Sequence, residues 1–248
     1  MPINDVATED AALVPADGAT KRRFVRGIFS AIAPRYDLLN HLLSFNIDRA
    51  WRRRAIAELN WQRAPEATYL DLCAGTLDVA AALARQPGFR GRVLGAYFAE
   101  PMLREGRRKV THNVTPLVAD ALELPLDDGS VAGAIVAFGV RNVSDLDAAL
   151  REVQRVLAPD ARFVVLEFTT PRQAVVRALY QFYFHRVLPV IGGLVSGNRA
   201  AYRYLPKSVA HFPREEQLAA RMRGAGFTDV RWQSLSFGIA AIHVGRTS

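Results

Sequence analysis

The sequence predicts an α/β fold, with a mostly parallel sheet covered by helices on both faces, a helical segment in front of it and an antiparallel pair of strands at its end. Three observations predict this. From Ala67 onward, short apolar runs alternate with amphipathic stretches, which is the pattern of strands joined by helices. Before them, residues 21 to 63 carry apolar residues at helical spacing. At the end, two strand-like runs, Gly226 to Leu235 and Phe237 to Val244, follow one another with only Ser236 between them, which suggests a closing antiparallel hairpin.

Taken in order, residues 1 to 20 hold four acidic residues, no basic ones and no apolar stretch of the kind a secretory or transit peptide needs, and read as a flexible tail. Residues 21 to 63 read as a helical cap. Phe24, Ile28 and Ile32 recur at spacing four, Pro34 interrupts, and Leu38, Leu39, Leu42 and Leu43 resume the pattern. Residues 64 to 248 read as one domain. Its strands are expected at Thr68 to Cys73, Arg92 to Phe98, Thr115 to Val118, Val131 to Phe138 and Arg162 to Phe168. The helices between them are expected at Val79 to Arg85, Pro101 to Val110 and Leu146 to Leu157. An apolar insertion spans residues 171 to 212 and includes Tyr180, Phe182, Tyr183, Phe184, Leu188, Ile191, Leu194, Tyr202 and Tyr204. It reads either as a helix and loop packed on the sheet or as the wall of a pocket or membrane-facing surface for a greasy substrate; Gly192, Gly193 and Gly197 suit a plain core helix poorly.

Composition narrows the classes. The chain has 248 residues, 50% hydrophobic and 23% charged, which is globular rather than disordered. The longest uncharged stretch in its apolar second half, Trp232 to Gly245, is too short to span a bilayer, so a transmembrane protein is not expected. A single cysteine, Cys73, and five histidines without metal-ligand spacing argue against a disulfide or a structural metal. The net charge is +8, and residues 21 to 63 alone hold ten basic and three acidic residues. That segment is either a solvated helix surface or an attractor of anionic lipid; nucleic acid is the weaker partner, because no recognisable binding module accompanies the arginines.

The chemistry begins at Tyr69-Leu70-Asp71-Leu72-Cys73-Ala74-Gly75-Thr76-Leu77-Asp78, a glycine-bearing turn at the carboxyl end of the first strand. Open α/β sheets bind nucleotide-like ligands there. Glycine lets backbone approach the ligand, and Thr76 offers a hydroxyl and an N–H, although an ordinary tight turn would have the same form.

Around this turn the sequence resembles the ubiquinone/menaquinone biosynthesis C-methyltransferase family over roughly residues 20 to 246. The resemblance is carried by Tyr36-Asp37-Leu38-Leu39-Asn40-His41-Leu42-Leu43-Ser44 with Trp51, by Phe138-Gly139-Val140-Arg141-Asn142-Val143, by Arg155-Val156-Leu157 leading to Val165-Leu166-Glu167-Phe168, and by Tyr202-Arg203-Tyr204-Leu205. It implies a Rossmann-like class I methyltransferase fold with a mostly parallel seven-stranded sheet, and S-adenosylmethionine as cofactor. Gly75 and Thr76 would meet the methionine end of that cofactor, Tyr97 its ribose, Asp120 and Ala121 its adenine, and Ala137 the floor near the methyl group. Arg141 and Asn142 would help deprotonate the quinol through water, with a loop-holding role as the competing account. His185, Tyr202 and Tyr204 would border the aromatic head group, or simply pack.

Five positions depart from the family pattern. Tyr97 stands where the family has a carboxylate that accepts hydrogen bonds from both ribose hydroxyls, and Leu77 replaces a glycine where backbone and ligand approach closely. Val131-Ala132 replaces Phe-Asp, Asp160-Ala161 replaces Gly-Gly, and Asp48 replaces a histidine. The expected function is methylation of a ring carbon of a demethylated prenyl quinol, demethylmenaquinol or its ubiquinol equivalent, by a cytoplasmic enzyme. Peripheral contact with the inner face of an anionic membrane and a homodimer stay open. The rivals are a silent homologue that still binds a prenylated quinone, and a related methyltransferase acting on another apolar acceptor.

Overall fold

The computed structural model describes residues 18 to 191 and 199 to 248; the expected tail up to residue 17, and Gly192, Gly193, Leu194 and Gly197 of the insertion, lie outside the described residues. Seven strands form one sheet in the order β3-β2-β1-β4-β5-β7-β6. They are β1 (Thr68–Leu72), β2 (Arg92–Tyr97), β3 (Val114–Val118), β4 (Val131–Ala137), β5 (Leu157–Phe168), β6 (Thr228–Leu235) and β7 (Ala240–Arg246). The first five run parallel, and β7 lies antiparallel between β5 and β6. The fifth strand starts earlier than the apolar run alone suggests, because Leu157 pairs with Val131 ahead of a register shift.

Alternate residues along the central strands serve different faces. Tyr69, Ile135, Val164 and Leu166 belong to one buried cluster, whereas Leu70, Leu72, Ala134, Val136, Phe163 and Val165 belong to the other. Burial on both faces is what turns the strands into near-continuous apolar runs. Helices α4 (Asp78–Ala84), α5 (Glu100–Gly106), α6 (Leu146–Val156) and α9 (Glu215–Gly224) cover the sheet. Asp145 caps α6 by accepting a hydrogen bond from the Ala148 N–H at 2.9 Å.

In front of β1 come α1 (Gly18–Ile32), α2 (Tyr36–Leu43) and α3 (Ile47–Glu58), with one 3₁₀ turn, Ala33–Arg35, at the proline and another, Trp61–Arg63, ahead of the strand. The insertion forms α7 (Ala174–Phe182), a π-helical turn Tyr183–Val187, and α8 (Arg199–His211). Residues of α1 and α8 meet over the sheet where Phe24 packs edge-on against Tyr204, with ring centroids 5.7 Å apart.

Leu77 corrects an expectation. Its backbone is left-handed (φ 64°), yet its side chain is fully buried in the core rather than turned to a ligand. Two glycines make room for it: a Cβ on Gly95 would come within 2.2 Å of Leu77 Cδ2, and one on Gly106 within 3.0 Å of Cδ1. Asp160 is also left-handed (φ 62°), and Arg246 holds its carboxylate at 2.7 Å. Both departures are thus absorbed by packing and by an ion pair.

Candidate active site

The order of strands reverses between β1 and β4, and the carboxyl ends of a parallel sheet open a crevice at such a point. Two narrow clefts lie there. One is lined by Cys73, Ala74, Gly75, Thr76, Asp78, Ala137 and Gly139 from the strand ends, with Phe29, Tyr36, Arg52 and Phe138 over them. The other is lined by Ala96, Phe98, Ala119, Asp120, Ala121, Val143 and Arg22. Cys73, Tyr97, Gly139 and Asn142 border both, so the expected cofactor residues Gly75, Thr76, Tyr97, Asp120, Ala121 and Ala137 are brought together along one crevice.

Helix α1 lies across this crevice as a lid. Lys21 Nζ donates to the carbonyls of Val143 at 2.7 Å and Arg141 at 3.3 Å, and Arg22 pairs with Asp120 at 2.5 Å. Beneath the lid, Tyr97 is 5% exposed, edge-on to Phe29 at 6.4 Å and to Phe98 at 4.9 Å. Each cleft encloses only about 20 Å³, whereas pockets for small ligands run to roughly 300 Å³ or more. A nucleoside-sized ligand therefore requires α1 to lift from Asp120 and Tyr97. The donor set itself suits such a ligand: the Thr76 hydroxyl, already hydrogen-bonded to Asp37, the Asp120 carboxylate and the Asn142 amide all face the crevice or its lid. Asp37 and Asp78 share the Lys109 ammonium, 2.5 Å from each.

Beside the crevice lies an apolar cavity of about 390 Å³. Its walls come from α1, α2, α3, α7, the π turn and α8, and it shares Phe29, Tyr36, Arg52 and Phe138 with the first cleft. The 3₁₀ turn Val140–Asn142 sends two neighbouring side chains in different directions: Arg141 borders the cavity, and Asn142 borders the crevice. The Tyr204 hydroxyl donates to Asn142 Oδ1 at 3.1 Å and so ties the two sides together. Tyr202 and Tyr204 both line the cavity.

Arg141 is almost wholly buried, and Glu167, from the end of β5, is its counter-ion at 2.6 Å. The Nη1 group also donates to the Phe138 carbonyl at 2.6 Å, and the guanidinium lies 5.6 Å from the centre of the Phe168 ring. Burial pulls the Arg141 pKa down, but the charge and hydrogen bond of Glu167, together with Tyr36 and Tyr204, more than offset this and keep the group cationic. Among the described residues, however, its Nε has no hydrogen-bond partner, and neither does the buried hydroxyl of Tyr180 in the same cavity wall. Burial also pushes the Tyr180 phenol well above its ordinary pKa, so it remains a neutral hydroxyl.

One expectation places differently. His185 is exposed and does not line the cavity, because Tyr180, Phe184 and Leu188 take the inward face of that helical segment and leave its neighbour pointing out. Cys73 borders both clefts, but burial pushes its thiol far above the range of a nucleophilic thiolate. Among the described residues no cluster of His, Cys, Asp or Glu is arranged to hold a metal. Sequence reasoning missed Glu167 as the partner of Arg141, Tyr180 as a polar group in the cavity, and Arg52 as a residue of both compartments.

Comparison with known proteins gives the family and the fold. The profile of the ubiE/COQ5 methyltransferase family matches residues 17 to 247. The chain belongs to this family. It is 53% identical to a demethylmenaquinone methyltransferase of Thermus thermophilus over 222 residues, covering 88% of this chain and 99% of that one. It is 44% identical to a ubiquinone/menaquinone biosynthesis C-methyltransferase of Geobacter sulfurreducens, covering 89% of this chain and 87% of the relative. Among solved structures, a SAM-dependent methyltransferase of Thermotoga maritima superposes with a TM-score of 0.64 at 20% identity, covering 90% and 99% of the two chains. At that identity the likeness concerns the fold, which is the Rossmann-like methyltransferase architecture.

Proposed function

We propose that this protein methylates a ring carbon of a reduced, prenylated quinol, demethylmenaquinol or its ubiquinol equivalent, with S-adenosylmethionine as methyl donor. The observation that carries the proposal is the apolar cavity against the crevice, with two buried polar atoms in its wall, Arg141 Nε and Tyr180 Oη, that have no partner among the described residues. A greasy ring that carries hydroxyl groups would occupy the apolar space and satisfy both atoms.

The residues of the crevice suit the cofactor once α1 has lifted, with Gly75, Thr76, Ala137 and Asn142 along one half and Asp120 and Ala121 along the other. When bound, it supplies an electrophilic methyl group. Everything else falls to the chain. Arg141 would donate from Nε to the quinol oxygen and stabilise the negative charge that builds there as the ring carbon becomes nucleophilic. A cation locked to Glu167 cannot take the hydroxyl proton itself, so Arg141 would act by making that proton easier for water to remove. Tyr180 would orient a ring hydroxyl, and α1, resettled over the bound cofactor, would exclude bulk water and align the two partners.

At Tyr97, replacement by aspartate is expected to tighten S-adenosylmethionine binding roughly tenfold in calorimetric titration, because a carboxylate accepts two hydrogen bonds and the ring that holds Phe29 down is gone. Weaker binding would instead make the tyrosine an adapted contact.

Substrate entry would be from a membrane surface. Leu38 and Leu42 on α2, Phe45 in the turn after it and Ile47 on α3, with Val175, Leu179 and Phe182 on α7, are large, apolar and 44% to 74% exposed. The two groups adjoin, since Phe45 lies 6.1 Å from Tyr183 and the Tyr183 hydroxyl donates to the Leu43 carbonyl at 2.7 Å. Phe45, Ile47 and Leu179 also line the cavity, so the apolar face surrounds its mouth. Of the arginines on α3, Arg49, Arg53 and Arg54 are exposed, Arg54 donating to Gln233 at 2.8 Å, whereas Arg52 is turned into the cavity wall. No helix among the described residues is long and apolar enough to cross a membrane.

The test is transfer of a labelled methyl group to reduced demethylmenaquinone in vesicles. Label is expected in the reduced quinol and not in the oxidised quinone, whose ring lacks the electron-donating hydroxyls. The rate is expected to be higher on anionic than on zwitterionic vesicles, and the difference should vanish near 1 M salt. Cofactor binding without transfer to any quinol would favour the silent homologue.

A further inference from the structure

Arg52 is the residue that the reaction as described leaves unused. It lies on α3, its side chain is 12% exposed, and it lines both the apolar cavity and the half of the crevice bounded by Gly75, Thr76 and Asp78. Its guanidinium sits 5.5 Å from the centre of the Phe138 ring, and its Nε stands 3.4 Å from Asp48 Oδ2. Among the described residues no hydrogen bond reaches it, and Nε is fully buried. A guanidinium has five N–H donors, and leaving a charged donor dry and unmatched is costly, so the site calls for an oxyanion.

The carboxylate that holds this cation is itself held firmly. Asp48 is 3% exposed, accepts a hydrogen bond from the Ser44 hydroxyl at 2.7 Å, and lies 3.0 Å from His41 Nδ1. Burial pulls its carboxyl upward, but Ser44, Arg52 and His41 together keep it below the usual carboxylate range, so it is ionised. At 3.4 Å the Asp48–Arg52 contact neutralises charge without using the donors of the guanidinium, in contrast to the 2.6 Å contact between Arg141 and Glu167. Arg52 is therefore anchored by ring and counter-ion, with its donors left for a ligand.

Two oxyanions could reach this seam, the carboxylate at the amino-acid end of the cofactor and the oxygen of an ionised quinol. The geometry favours the first. The planar fork of a guanidinium matches a two-oxygen group, the half of the crevice that Arg52 borders is the turn after β1, and the quinol oxygen already has Arg141. We propose that Arg52, positioned by Asp48, binds the carboxylate of S-adenosylmethionine from the substrate side, so that one residue reads cofactor occupancy at the wall of the quinol cavity. This rests on the reading that the crevice takes that cofactor.

The test compares two probes by calorimetric titration. S-adenosylhomocysteine carries the carboxylate, and 5′-methylthioadenosine lacks the amino-acid end. Arg52→Met is expected to weaken S-adenosylhomocysteine about tenfold to a hundredfold, as for loss of a charged hydrogen bond, while 5′-methylthioadenosine binds within about twofold of the parent. Arg52→Lys, which keeps charge without the fork, should fall between them. Unchanged S-adenosylhomocysteine affinity would overturn the assignment, and a fall in turnover alone would then give the oxyanion to the quinol. Equal losses for both probes would make Arg52 a structural residue and overturn it as well. If the parent protein bound neither probe, the cofactor reading of the crevice would fail first.

Discussion

Turnover of an Arg141→Lys variant is expected to fall by about a hundredfold or more, the usual cost of removing a preorganised donor at developing negative charge, with S-adenosylhomocysteine affinity within about twofold of the parent. The choice of lysine matters. Alanine would strand Glu167, which is 1% exposed, without a counter-ion and so mix catalysis with folding. A lysine ammonium can still meet Glu167 and the Phe138 carbonyl, the two partners that Nη1 serves, but it puts no donor where Nε points. Unchanged turnover would reduce Arg141 to a tie for the Val140–Asn142 turn. Parallel loss of turnover and cofactor affinity would mean that the turn had moved Asn142, which borders both clefts.

Glu167→Ala is expected to destabilise the fold by about 3 to 5 kcal/mol, measured by urea unfolding, because it leaves the Arg141 guanidinium buried and uncompensated. The carboxylate has several duties. Its Oε1 accepts from Arg141 Nη1 at 2.6 Å and from the Phe168 N–H at 2.9 Å, and Oε2 lies 3.4 Å from the Arg141 N–H. The decisive comparison is the double replacement Arg141→Met with Glu167→Leu. If the pair exists to support chemistry rather than stability, the double variant should recover most of the lost stability while remaining inactive, since burying two charges costs about as much as their attraction returns. A double variant as unstable as Glu167→Ala alone would show that the pair holds the ends of β4 and β5 together.

Much of the architecture was legible. The alternation of apolar runs and amphipathic stretches located the parallel strands, because strands buried on both faces leave little room for polar residues. The glycine turn after β1 lies at the crevice because chain direction in a parallel sheet sends every such turn to the same edge. The substrate side was less legible. Tyr202 and Tyr204 line the cavity and His185 does not, although all three stand in an aromatic-rich insertion. His185 stands in a π turn, where the ordinary spacing of three and four breaks down, whereas Tyr202 and Tyr204 stand on the separate helix α8.

By itself, the sequence determined the sheet and its covering helices, the edge at which the crevice opens and the family to which the chain belongs, since each rests on local periodicity or on contiguous motifs. Only the tertiary structure decided which residues share a site. Arg22 meets Asp120, Arg141 meets Glu167, and Tyr204 meets Asn142, pairs 98, 26 and 62 residues apart in the chain. The fate of Leu77 depended on two glycines on other elements, and the environment of Arg52 on a carboxylate four residues away together with the ring of Phe138. Periodicity records which face of an element is apolar, but it does not record which other element that face will meet. The pairing of buried charges and the emptiness of a cavity arise only when distant faces close on one another.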